Sequence, residues 1–226
     1  MNLKFKKIFF IALAILISAS PITYAQTISV ELPEGIIVIE EGQDKIYIPD
    51  GSVKDTDKLL IQLDAYLDAL NTKVQPDNLI QPQYLDEYHI SDSNTKTINY
   101  NTATGTSSFN STITYDGSVK VSGAAQASYS GMYGHVPEYI QLSNSFVFSG
   151  LSVTVPLPGS SGGGSWTLSD KTLTWSKDFQ NKSFITHVYN GITATGYNLH
   201  ISQIVTAEFG IGTNFYTIMS SDSTWL

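Results

Sequence analysis

Between Phe109 and Gly131 the chain places an apolar or small residue at every odd position, and polar residues at every even position except Ala124. A two-residue period means β-strand with one dry face. The run is too long for one ordinary strand, so it must fold back, and Asp116-Gly117 is the corner. A three-residue loop, Tyr115-Asp116-Gly117, keeps the two dry faces matched, whereas a two-residue loop would swap one of them. That register sets Thr114 opposite Ser118, Ile113 opposite Val119, Ser111 opposite Val121 and Phe109 opposite Gly123. Gly117 then takes the left-handed position of a bulged turn. The face made by Phe109, Ile113, Tyr115, Val119, Val121, Ala125, Ala127 and Tyr129 has two readings. It covers the core of a sandwich, or it meets lipid in a membrane-inserted hairpin.

The same period runs through most of the chain after Thr95. Ile140 to Phe148 alternate, as do Leu151 to Leu157 beyond a turn at Ser149-Gly150. Leu168, Leu173 and Trp175 resume after the glycine-rich stretch, and Phe184 to Tyr189 ends at Asn190-Gly191, a strong turn signal. Tyr197 to Ile204, Val205 to Ile211 and Phe215 to Met219 complete the pattern. Eight to ten antiparallel strands in a sandwich or barrel-like body are expected over 95–226.

The stretch 26–94 reads differently. Thr27–Leu32, Gly35–Glu40 and Lys45–Ile48 are three short strands, with turns at Pro33-Glu34-Gly35 and Glu41-Gly42-Gln43. Leu59, Leu63, Leu67, Leu70 and Val74, with Leu60 and Tyr66 beside them, recur at helical steps. One amphipathic helix is expected over about 53–74, capped by Ser52, Asp55 or Thr56 and stopped by Pro76, with Asp64 and Asp68 on its wet face. Residues 76–94 have the composition of a linker.

At the other extreme, Lys4, Lys6 and Lys7 precede ten apolar residues, Ile8 to Ile17, followed by Thr23-Tyr24-Ala25. This is the pattern of a secretory signal peptide over 1–25, cleaved after Ala25. Its apolar core is short for an uncleaved membrane anchor. A secreted protein without cysteine has no disulfides, so packing alone holds it, and the combination suits a bacterial product.

Charge changes the picture by its placement. All twelve basic residues are lysine and the formal net charge is −8. Fourteen carboxylates against four lysines make 26–94 an acidic head, while 95–226 is nearly neutral, with six against five. Without arginine or a basic face the chain is not built for nucleic acid. An acidic head suits a calcium ion or a basic partner, but ordinary solvated surface accounts for it as well.

Motifs for catalysis are thin. Gly159 to Gly163 fits G-x-S-x-G, but no helix follows to make a nucleophile elbow. Ser93 to Lys96 fits S-x-x-K in a polar stretch. Asp86, Glu87, His89 and Asp92 crowd together without the spacing of a metal site, and His135 with Glu138 lack a third ligand. His187 and His200 fall on strands, where a hydrogen-bonded structural role is expected. No cofactor is implied. Tyr129, Tyr133 and Tyr139 flank a glycine-bearing loop and are the candidates for stacking on a sugar or anchoring a protein. The expectation is a secreted, non-catalytic β-sandwich that binds a surface glycan or protein. The alternatives are a pore-forming protein that inserts the 109–129 hairpin, and a secreted hydrolase whose site is assembled from distant strands.

Overall fold

The structure, a computed structural model, describes residues 31–51, 55–74, 86–100, 102–155 and 170–226. The leader, most of the strand expected at Thr27–Leu32 and the G-x-S-x-G stretch lie outside these residues. Nine strands and one helix are described. They are β1 (Ile36–Glu41), β2 (Asp44–Pro49), α1 (Thr56–Val74), β3 (Asp86–Ile98), β4 (Ala103–Tyr115), β5 (Val119–Gly131), β6 (Tyr139–Thr154), β7 (Lys171–Gln180), β8 (Phe184–Ile211) and β9 (Asn214–Trp225). Every pairing is antiparallel.

The strands form two layers that share β8. In the first layer the order is β1-β2-β8-β5-β4-β3, and in the second β6 pairs with both β7 and β8, while β9 pairs with β8. β8 is 28 residues long. Up to Ala194 it pairs with β5, and from Thr195 it pairs with β6. A strand that changes layers must bend, and bulges supply the bend. Gly191 is the bulged residue: Ser122 pairs with Asn190 and Val121 with Ile192, and Gly191 has φ +87°. The turn expected at Asn190-Gly191 is therefore a bulge, which makes the same demand for a left-handed residue. Ser149-Gly150 is likewise a register shift within β6, and β8 is not broken at Ile204-Val205. Among the described residues the body has fewer and longer strands than the turn signals suggest.

The hairpin is found with a different register. Tyr115 pairs with Val119, Ile113 with Val121, Ser111 with Gly123 and Phe109 with Ala125, a shift of two residues from the expected pairing. The loop is Asp116-Gly117-Ser118. Asp116 fixes it: its Oδ1 accepts from Ser118 Oγ at 2.9 Å and from Ser118 N at 3.3 Å, closing the turn through a side chain. The hydrogen bonds from Ser118 and the nearby Lys120 hold the Asp116 carboxyl below its ordinary range. Gly117, at φ +92°, sits in the middle of the loop.

Because two is the side-chain period, the faces are preserved. Ile113, Val119, Val121, Ala125 and Ala127 are fully buried, Phe109 and Tyr129 nearly so, and Tyr115 packs on the cluster half-buried. They meet Ile140, Leu142, Phe146, Phe148, Val205 and Phe209 from the second layer.

The acidic head joins the same sheet. β2 pairs with β8 from Lys45 to Tyr47, and Leu32–Leu226 forms one compact unit. The linker reading of 86–94 is corrected: these residues are the first part of β3, paired with β4 along its whole length. Their polar composition reflects an edge strand with few buried positions. Asp55 caps α1, accepting from Lys58 N at 3.1 Å. The helix lays Leu59 and Leu63 on Tyr47 and Phe184, with Leu60, Tyr66 and Leu67 around them. Asp64 is exposed, as expected of the wet face, and from there accepts from Gln126 of β5 at 3.2 Å.

Polar groups connect the two layers through the core. Gln203 Nε2 donates to Asn144 Oδ1 at 2.9 Å and to Tyr189 Oη at 3.0 Å. Ser111 Oγ donates to Gln203 Oε1 and is bonded to Tyr189 Oη. Ser107 Oγ donates to Val205 O at 2.9 Å beside Ser220 Oγ at 3.0 Å. The two rims are clasped differently. Asp92 Oδ2 accepts from Ser221 N at 2.8 Å and Asp222 Oδ2 from Ser91 N at 3.1 Å, joining β3 to β9. On the opposite rim Glu41 accepts from Trp175 Nε1 at 3.3 Å and pairs with Lys177.

Gly123 leaves room for this network. A Cβ there would lie 2.3 Å from Asn110 O and 2.7 Å from Tyr189 Oη. Gly123→Ala is expected to lower stability by about 2–3 kcal/mol in urea unfolding; a loss under about 0.5 kcal/mol would contradict that packing. Burial raises the Tyr189 hydroxyl to about 12, against an ordinary 10. The folded protein holds this proton more tightly than the unfolded chain. The corresponding stability is complete below pH 10 and is lost as pH rises through 12, by about 3 kcal/mol in all. Tyr47, Tyr129 and Tyr139, raised chiefly by burial, act in the same direction. Unfolding at pH 9 and pH 11.5 measures the effect, and Tyr189→Phe should visibly shrink it.

Candidate functional site

Register places one set of connections at one end of the sandwich. Asn99, Tyr100 and Thr102 lie between β3 and β4, 132–138 join β5 to β6, 181–183 join β7 to β8, and Gly212-Thr213 join β8 to β9. Backbone bonds hold them together. Met132 N donates to Thr102 O at 3.1 Å, Glu138 N to Gly210 O at 3.0 Å, Asn181 N to Glu138 O at 3.2 Å and Tyr129 N to Ser183 O at 2.7 Å.

This end exposes large apolar side chains. Tyr100 is 86% exposed, Phe215 66% and Met132 58%, with Val136 at the edge of the set. Tyr139 is half-buried and meets Phe215 edge-on, ring centres 6.2 Å apart. Tyr100 and Asn99 both have positive φ, at +53° and +49°. That conformation is costly for a bulky residue, and it holds the Tyr100 ring out in water.

The sequence candidates fare unevenly. Tyr129 is not ligand-facing. It points into the core, buried, with its ring 5.9 Å from Phe209 and its hydroxyl bonded to Asn99. The backbone of Tyr133 lies in the short 3-10 turn Met132–Gly134, and its side chain is outside the described residues. Tyr139 lies beside the exposed set. Tyr100, Met132 and Phe215 escaped sequence reasoning. The one signal for Tyr100 was its position between two asparagines, which mark a tight turn.

Next to this end, on the outer face of the first layer, is a cleft of about 40 Å³ beneath the first turn of α1. Thr56, Asp57 and Leu60 of the helix form one wall, and Thr104, Thr106, Ser128, Tyr129 and Ser130 another. Ser183 and Phe184 complete it. Ser130 Oγ donates to Asp57 Oδ2 at 2.9 Å. Ser183 is 2% exposed, and its Oγ has no hydrogen-bond partner.

The other polar constellation is internal. His187 is buried, its Nε2 lies 3.1 Å from Asp44 Oδ2, and its ring stacks on Trp175 with centres 3.7 Å apart. Its Nδ1 has no partner. Asp44 also accepts from Asn190 N at 3.3 Å, so the carboxylate ties the start of β2 to the bulge in β8. This pair binds elements together, as expected for a strand histidine. His200 packs its ring on Trp225 at the opposite end, where Tyr197 is also exposed.

The remaining motifs come apart. Ser93 and Lys96 lie on β3 three residues apart, and so on opposite faces of the strand. Glu87 and His89 form a surface pair at 3.1 Å, while Asp86 and Asp92 take the other face. Among the described residues no group of three His, Asp or Glu is placed to hold a metal ion, and no helix is long and apolar enough to cross a membrane.

The left-handed Tyr100 makes a prediction. Tyr100→Gly should leave stability unchanged or raise it by up to about 1 kcal/mol, since relief of strain offsets the added freedom of the unfolded chain. A loss of more than about 1 kcal/mol in urea unfolding would show that the ring is held by contacts instead.

The sequence matches no protein-family model, and no curated protein is similar enough to count as a relative.

Proposed function

We propose that this chain is a secreted, non-catalytic β-sandwich that binds an extracellular partner, a surface glycan or a protein, through the loop end bearing Tyr100, Met132 and Phe215. The carrying observation is that these side chains are exposed at one loop end, Tyr100 and Met132 on connections and Phe215 at the start of β9, with the connections tied to one another by backbone hydrogen bonds. Aromatic and methionine side chains on a rigid frame are the usual anchors of an interface, because they offer much contact area for little lost freedom. The leader supports secretion.

The pore-forming reading has weaker support. Insertion would strip Ile113, Val121 and Ala125 from the opposite layer. It would also break the thirteen pairs of β4 with β3 and the ten of β5 with β8.

The triple variant Tyr100→Ser, Met132→Ser, Phe215→Ser should retain the melting temperature and lose binding by about tenfold or more, in pull-downs and on glycan arrays with the mature protein. Unchanged binding by the variant would refute the assignment. Dye release from liposomes by the intact protein would favour insertion of the hairpin over the loop-end reading.

A further inference from the structure

We propose that the outer face of the second layer is the interface of a homodimer, occupied by a second copy of this chain across a two-fold axis that crosses the strands. This goes beyond the loop-end reading and does not rest on it. The two layers are dressed differently. α1 lies on the outer face of the first, where Gln126 and Ser130 bond to its Asp64 and Asp57. The described residues hold no second α-helix to cover the other. On β9 the odd positions point outward, since Ile218 and Ser220 are buried. A solvated strand face normally carries polar side chains. This one carries Phe215, Met219 and Trp225, the last 67% exposed. Phe215 lies over Gly210 against Tyr139, since a Cβ on Gly210 would come within 3.2 Å of the Phe215 ring. Trp225 packs on His200, ring centres 4.6 Å apart. Ile204 and Val147 are half-buried between these two clusters.

The spacing of the column is self-complementary. Position 220 lies midway between Phe215 and Trp225. A two-fold axis crossing β9 there sets each Phe215–Tyr139 cluster on the Trp225–His200 cluster of the other copy. It also brings the two Met219 side chains together beside the axis. Every contact is then returned by its mate, as an isologous interface requires. Charge selects this axis over one running along the strands. Among the described residues the face carries no lysine and two carboxylates, Glu208 and Asp178, in one row with Thr217 and Gln141. The crossing axis lays that row over Ser223, Ser202, Val147 and Thr172, which are neutral. An axis along the strands would lay the acidic row on itself, and like charges brought together are costly. The area suffices as well. Four strands over ten residues span about 19 by 34 Å at ordinary strand spacing. Two such faces bury about 1,300 Å², within the range of stable interfaces.

Sedimentation velocity and light scattering on the mature protein, across a concentration series, test this. The protein should have twice the mass of the chain. Met219→Lys should weaken the dimer about tenfold or more, because two lysines then meet at the axis, while the near-UV circular dichroism stays that of the folded protein. Met219→Glu should do the same alone, and equal amounts of the two variants should pair with each other. That rescue requires the two side chains to meet, and a folding defect would not produce it. A protein that stays a monomer throughout overturns the proposal. So does a dimer that Met219→Lys leaves intact, or a pair of variants that fails to recombine. Tyr100 and Met132 lie on connections outside this face, so the Met219→Lys variant leaves the loop end to be tested separately.

Discussion

The two layers are held in register by a closed set of hydrogen bonds inside the core. Tyr189 and Gln203 come from the two halves of β8, Ser111 from β4 and Asn144 from β6. Each donor meets an acceptor: the tyrosine hydroxyl donates to Ser111, Ser111 to the Gln203 carbonyl, and the Gln203 amide to Tyr189 and Asn144. In a low-dielectric interior such a set is strong when complete and expensive when broken. Apolar side chains can slide past one another at little cost, but these four cannot. They convert a generally sticky interface into one specific alignment of β4 against both ends of the bent strand.

The rest of the architecture follows from that bend. A strand that serves both layers removes the need for a long connection between them, and among the described strands it leaves edges on β1, β3, β7 and β9. Exposed edges invite pairing with other chains. Here β3 and β9 are turned toward each other and joined by the carboxylates of Asp92 and Asp222, each bonded to a backbone N–H of the other strand. On the other rim Glu41, Trp175 and Lys177 bring β7 to the end of β1. Neither rim forms a ladder. Side chains do the closing, so the sandwich is not a barrel.

The parts of this fold that depend on local pattern were legible. The alternation of 109–131 identified the buried face correctly, and the leucine repeat identified α1. Even the flaws in the pattern had meaning: Ser111 and Gly123, the weakest residues on the dry face, are the pair that admits Tyr189 Oη. What depends on distant partners was not legible. Asn190-Gly191 signals a left-handed residue, and only the continuing partners β5 and β6 decide between a turn and a bulge. Asp116 could close the hairpin loop one residue later than Gly117 alone suggests, and that displaced the register by two. β3 resembles a linker because its partners, β4 and the rim of β9, bury little of it. Of the loop end, the sequence located the neighbourhood through Tyr139 but chose Tyr129, whose odd position already assigned it to the core. Exposure of Tyr100 and Phe215 depends on how four separate connections end, which no single stretch records.

The core network also bears on ancestry. Ser111, Asn144, Tyr189 and Gln203 satisfy one another, so losing any one strands its neighbours, and drift should alter them jointly or not at all. Gly123 must stay small for as long as the tyrosine remains. A cousin whose surface and loops have diverged past alignment would therefore still carry this quintet, at matching places along a hairpin and a long kinked strand.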